Sequence, residues 1–113
     1  MVAEDVHAKF NATFGIDLGR GIVQRCTAIE NGSGIHVGNA EIANSSATYN
    51  EFAGLIDLGG TVLANTASLN GSFGLIALNS VYGSNAFSNN GTGAVGGAPL
   101  VSQNNNICDG VVC

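Results

Sequence analysis

Apolar and polar positions alternate in short runs along this chain. Ile16-Asp17-Leu18, Ile35-His36-Val37 and Ile76-Ala77-Leu78 step with period two and are bounded by Gly or Asn. That pattern predicts short strands joined by tight turns. No apolar stripe at i, i+3, i+4, i+7 survives for three turns, and Gly recurs every few residues, so helices are disfavoured. Only Ala3 to Phe10 has the composition of a short helical turn. The chain reads as all-β.

The runs also repeat. Ile16-Asp17-Leu18-Gly19 returns forty residues later as Ile56-Asp57-Leu58-Gly59. Ile22-Val23, Ile29 and Asn31-Gly32-Ser33 are followed in the same order by Val62-Leu63, Leu69 and Asn70-Gly71-Ser72. A one-residue insertion at Phe73 then brings Ile35, Val37 and Asn44 opposite Ile76, Leu78 and Asn85. The repeats are bounded as 14–53 and 54–95, with a segment 1–13 before them and a tail 96–113 after them. Ala86-Phe87-Ser88-Asn89-Asn90-Gly91 opens like a third, aborted copy. A weaker period of about twenty runs inside each copy, because Gly15, Gly34, Gly54 and Gly74 each precede an apolar alternation. Each twenty-residue half therefore reads as one strand-turn-strand arc.

Equivalent positions forty residues apart imply equivalent environments, which favours stacked layers over an antiparallel sandwich or barrel. The expected architecture is a short two-repeat β-solenoid or cross-β layered subunit, about forty residues per repeat. Its stacking core is expected at Ile16, Leu18, Ile29, Ile35, Val37, Ile56, Leu58, Leu69, Ile76 and Leu78. Polar ladders are expected at Asp17 with Asp57 and at Asn44 with Asn85. Asp17 and Asp57 have two readings: a stacked column of acids, or side chains that face solvent and cap turns. Solenoids need three or more repeats and polar caps to stand alone. Two copies with no evident cap leave an open edge, which is a template for another chain. Head-to-tail stacking of that kind does not close, so it gives a filament.

Composition fits that reading. With no Trp, 2 Tyr, 5 Phe and 17 Gly in 113 residues, there is little bulk for an interlocking core. Charged residues make up only 10% of the chain, and none lies between Leu58 and Cys108. A long neutral, β-rich stretch is what in-register stacking tolerates. The net charge of −5 and the absence of a basic cluster argue against nucleic acid as a partner. No run of eighteen apolar residues is present, so no membrane insertion by a helix is expected. Met1-Val2-Ala3-Glu4-Asp5 lacks the basic start and apolar middle of a signal peptide, which leaves a cytosolic protein or a mature exported form.

Reactive chemistry is sparse. No Ser-His-Asp or Cys-His set emerges; a zinc site needs four ligands, His7 and His36 are the only imidazoles, and metal binding by the cysteines is not expected. Neither an enzyme nor a cofactor is expected. Cys108 and Cys113 are spaced to close a small disulfide loop around Asp109-Gly110, while Cys26 reads as a buried hydrophobe or an interchain partner. Five Asn-x-Ser/Thr sequons start at Asn11, Asn31, Asn44, Asn70 and Asn90, as chance allows in so Asn-rich a chain.

From Gly74 to Asn90, and more briefly at Gly34-Ile35-His36-Val37-Gly38-Asn39-Ala40, the chain resembles the repeats of Fap-type bacterial functional amyloids. Those repeats carry a Gly-Ile-x-Val-Asn-like strand followed by an Asn/Gln/Ala-rich arm, and the subunits end in a close cysteine pair. This chain departs from them in having two full repeats and a wider cysteine spacing. The resemblance implies an exported, extracellular subunit of a biofilm-associated fibre whose partner is itself. The rival expectation is a monomeric solenoid module that binds carbohydrate, ice or a surface. A regular Thr-x-Thr face would suit ice, and Thr61 and Thr66 have no counterparts in the first copy at the forty-residue spacing.

Overall fold

The computed structural model describes residues 1–98 and 100–113. Pro99, which falls in the predicted tail, lies outside them. The described elements are all strands, and the segment from Ala3 to Phe10 is extended like the rest. The first strands are β1 (Val2–Glu4) and β2 (His7–Lys9). They are followed by β3 (Phe14–Gln24), β4 (Thr27–Ile29), β5 (Ser33–Ala43) and β6 (Ser46–Thr48). Next come β7 (Leu55–Asp57), β8 (Thr61–Leu63), β9 (Thr66–Ser68), β10 (Phe73–Ala77), β11 (Ser80–Gly83) and β12 (Ala86–Ser88). The last four are β13 (Gly93–Gly96), β14 (Leu100–Ser102), β15 (Ile107–Cys108) and β16 (Val111–Val112).

These strands coil into a parallel β-solenoid of about 5 turns. A full turn carries three strand segments, as in β7, β8 and β9; in the two earlier turns the first two segments run together as β3 and β5. The first two segments of each turn build one sheet, here sheet A. The third segments build sheet B, in the order β2, β4, β6, β9, β12, β15, β16. All pairings are parallel except the last, where β16 turns back antiparallel on β15.

The structural unit is therefore the twenty-residue half, and each half is a complete turn. Ile16 stacks on Ile35, Ile35 on Leu55, and Leu55 on Leu75. The step from Ile16 to Leu55 is one residue short of the forty at which Ile-Asp-Leu-Gly recurs, because one turn is a residue shorter than its neighbours. Side chains alternate between the two faces of a strand, so a slip of one exchanges inside for outside. Ile16, Leu18, Ile35 and Val37 are buried as expected, but in the later turns Leu55 and Leu75 are the fully buried residues. Ile56 and Ile76 are half-buried on the outer side, and Leu58 and Leu78 are exposed. Ile29 is half-buried on the outer face of β4, and Leu69 sits exposed at a corner.

The core is thin, as the composition requires. Val23, Ile42, Val62 and Tyr82 face it from the second segments, and Ala28, Ala47, Ala67 and Phe87 from the third. Alanine on one wall brings that wall close to the other two. Each fully buried Val, Leu or Ile contributes roughly 1.5–3 kcal/mol through burial. The glycines at twenty-residue spacing mark where turns meet most closely: a Cβ on Gly54 would lie 2.9 Å from the Gly74 carbonyl oxygen and 2.7 Å from Asn70 Nδ2. No side chain fits there without displacing the backbone of the next turn.

Candidate functional site: asparagine ladders, open edges and a closed hairpin

Each turn has two corners where a non-glycine residue takes positive φ. One column of such residues runs through Asp5, Arg25, Asn44, Ala64 and Ser84, the other through Phe10, Glu30, Tyr49, Leu69 and Asn89, and Asn79 adds a further corner in its turn. A left-handed conformation costs an ordinary residue about 1–2 kcal/mol. What offsets the cost lies one residue further on. After the second corner come Asn11, Asn31, Asn50, Asn70 and Asn90; after the first come Cys26, Ser45, Asn65 and Asn85, and Asn106 ends that column.

These residues form ladders along the axis. Asn31 Nδ2 donates to Asn50 Oδ1 at 3.2 Å, Asn50 Nδ2 to Asn70 Oδ1 at 2.9 Å, and Asn70 Nδ2 to Asn90 Oδ1 at 2.9 Å. The same oxygens accept the backbone N–H of the preceding rung, and each Nδ2 also donates to a carbonyl one turn back, as Asn70 does to Ala47. In the other column Asn65 donates to Asn85 and Asn85 to Asn106. Buried polar groups are tolerated only when they are paired, and here the amides use both functions. Four of the five sequon asparagines, Asn11, Asn31, Asn70 and Asn90, are rungs. The Asn31 and Asn70 side chains are too buried and too fully bonded to carry a glycan.

The predicted polar residues fall differently from the forty-residue register. Asn85 is a buried rung, whereas Asn44 is the exposed corner residue just before rung Ser45. Asp17 and Asp57 do not share a column. Asp17 lies on the outer face opposite His36, with Oδ1 2.7 Å from Nδ1, and the His36 ring stacks on Phe14 at 4.6 Å. Asp57 continues the inward column of Leu18 and Val37 and is completely buried. Its Oδ2 accepts the Gly60 N–H at 3.0 Å, while Oδ1 has no partner among the described residues. Burial pushes its carboxyl above the ordinary value of 3.8, against the Ser80 hydroxyl and the Gly60 and Leu58 amides, which pull it down.

The two ends of the solenoid differ. At the first end β1 covers only the Ile22–Gln24 half of β3, so the Phe14–Gly19 half has β5 as its single neighbour, and β1 and β2 are free edges among the described residues. Charge marks this end: Arg25 bonds both Glu4 and Asp5, and the pair of carboxylates raises its already high pKa. At the second end β13 and β14 are free edges of sheet A among the described residues. Sheet B there is crossed by β16, which the Cys108–Cys113 disulfide closes into a hairpin. Cys113 N donates to the Asn106 carbonyl, and Asn106 Nδ2 donates at 3.2 Å to the Cys113 carbonyl. Thus the second end, expected to be bare, carries a cap over one of its three strands.

The outer face of sheet B bears hydroxyls in register. Thr27, Ser46 and Thr66 form one column, and Thr48, Ser68 and Ser88 a second. Thr66 does have counterparts, one and two turns earlier, at the true period of the fold. Cys26 is buried, with Sγ 3.4 Å from the Ala3 carbonyl oxygen and 3.3 Å from that of Gln24. No protein-family model matches the chain, and no curated protein or solved structure is significantly similar to it.

Proposed function

We propose that this protein is a structural subunit that assembles head to tail into an extracellular fibre, each copy adding its turns to the end of the last. The observation that supports it is a pair of sheet A edges without a neighbour among the described residues: β14 at one end and β1 at the other. Free N–H and C=O groups on a parallel edge are a template for a further parallel strand. The support no longer comes from a shortage of turns. Five turns meet the minimum for a solenoid to stand alone, so assembly must be driven by its edges. Two features support an exported setting: the disulfide, a bond that persists in oxidising compartments, and the resemblance to bacterial amyloid subunits. Sedimentation velocity over a hundred-fold range of concentration, with negative-stain electron microscopy in both redox states, tests the proposal. A protein that stays monomeric in both states throughout would contradict it.

A second reading has its own support. The hydroxyl columns of sheet B make a flat, uncharged face from Thr27 to Ser88 suited to display by a monomeric adhesion module. Replacing Ser46, Thr48, Thr66 and Ser68 by Lys would abolish surface binding in that case and leave fibre growth unaffected.

A further inference from the structure

The hairpin 107–113 occupies the place in sheet B where the next parallel strand would pair. Without β16, β15 would present to solvent the same backbone edge that β12 presents to β15. Asn106 ends its ladder under the same hairpin, spending its Nδ2 on Cys113 and Ser102 where earlier rungs spend theirs on the next asparagine. One covalent bond, Cys108–Cys113, holds this cover in place.

The strands that would replace it are present at the opposite end of the molecule. Val2 begins a column of sheet A that runs through Ile22, Glu41, Thr61 and Val81 to Val101. Its two end residues are both exposed, Val2 at 58% and Val101 at 60%. Lys9 begins a column of sheet B that runs through Ile29, Thr48, Ser68 and Ser88, and Asp109 follows Cys108 at its far end, donating its N–H to the Phe87 carbonyl. A second copy continuing the coil in register would set Val2 on Val101 and Lys9 on Asp109. That places an apolar pair and an opposite-charge pair directly across the junction.

We propose that the Cys108–Cys113 hairpin is a removable latch over a docking edge, and that its reductive opening lets β1 and β2 of a second copy seat in parallel on β14 and β15. The inference rests on the filament reading and names its junction and its control. In the opening step a dithiol reductant delivers two electrons and two protons. The S–S bond breaks, Cys108 and Cys113 become thiols, and the reductant leaves as its own disulfide. Segment 110–113 is then released from β15, Asp109 stays in the coil through its N–H to the Phe87 carbonyl, and the edge is free.

The test follows fibre elongation by light scattering and electron microscopy for oxidised wild type, for wild type with dithiothreitol, and for Cys108→Ala/Cys113→Ala, with far-UV circular dichroism showing that the strands persist. Elongation is expected to be several-fold faster in both opened forms. In the cysteine-free background, Lys9→Asp or Asp109→Lys alone should slow it several-fold, and the two together should restore it, which a merely structural role for either residue would not produce. Equal elongation with the latch closed and open overturns the latch while leaving the filament reading intact. Failure of the double charge reversal to restore growth overturns the junction. Absence of assembly in every form removes the filament reading, and this inference with it.

Discussion

Asn50 Nδ2 donates to Asn70 Oδ1 at 2.9 Å, and Asn50 N donates to the same oxygen at 3.1 Å. One side-chain oxygen thus satisfies two donors of the turn before it, and both residues are buried. Asn70→Ala strands those donors and frees the Ala47 carbonyl. A buried polar group left unpaired costs about 1–3 kcal/mol, so Asn70→Ala should lower the urea midpoint by a correspondingly large step. Asn44→Ala, at an exposed corner, should have a much smaller effect.

Gly54→Ala tests the close approach of the turns. Its new methyl would meet the Gly74 carbonyl oxygen at 2.9 Å and the Ala67 Cβ at 3.0 Å, contacts set by backbone and by a small rigid side chain. Overpacking of this kind costs typically about 1–3 kcal/mol. Gly19→Ala, where an added Cβ meets nothing within 4 Å, serves as the control. Thermal unfolding should separate the two variants clearly.

Asp57 predicts a pH dependence of definite sign. Its folded pKa is raised by burial, so the folded state holds the proton more tightly than the unfolded state does. Its contribution to stability is fully present below the ordinary value of 3.8 and is lost as pH rises through the higher folded value. Relative to Asp57→Asn, the wild type should lose stability as pH rises from acid toward neutrality. Denaturant unfolding of both proteins from pH 3 to pH 7 measures the difference. A difference that does not change with pH, or that grows in favour of the wild type, would contradict the buried placement.

Cys26 is 1% exposed and lies inside the second turn. Its thiol should therefore react with an aromatic disulfide reagent only after denaturation. Prompt reaction in the native protein would mean that the first turn is not docked.

Much of the architecture was legible in the chain. Period-two runs bounded by Gly and Asn gave strands, and similarity at fixed spacing gave stacked layers. The register was not legible, because Ile-Asp-Leu-Gly recurs at forty residues whereas the fold steps by thirty-nine over the same two turns. A single slip exchanged Leu55 for Ile56 and moved Asp57 from the column of Asp17 to the core. The better signal was weaker in identity and stronger in physics. Gly15, Gly34, Gly54 and Gly74, with Asn11, Asn31, Asn50, Asn70 and Asn90, keep the true period, because close contact and paired amides constrain residue type more tightly than an apolar strand does. Of the expected ladder pairs only Asn85 is a rung, since corner and rung are adjacent and both accept Asn. The end of the coil was legible only as a cysteine spacing, and the reversal of β16 that makes it a cap depends on a turn at Asp109-Gly110 whose direction spacing does not encode.

The central claim is that whole solenoids, each several layers tall, stack end to end. Cryo-electron microscopy of filaments grown from the opened protein tests it through the axial rise per chain. With β1 seated on β14, every copy adds six layers of sheet B at about 4.8 Å each, so a rise of about 29 Å per chain is expected. A rise of about 4.8 Å per chain, with each molecule flattened into a single cross-β layer, would contradict the account.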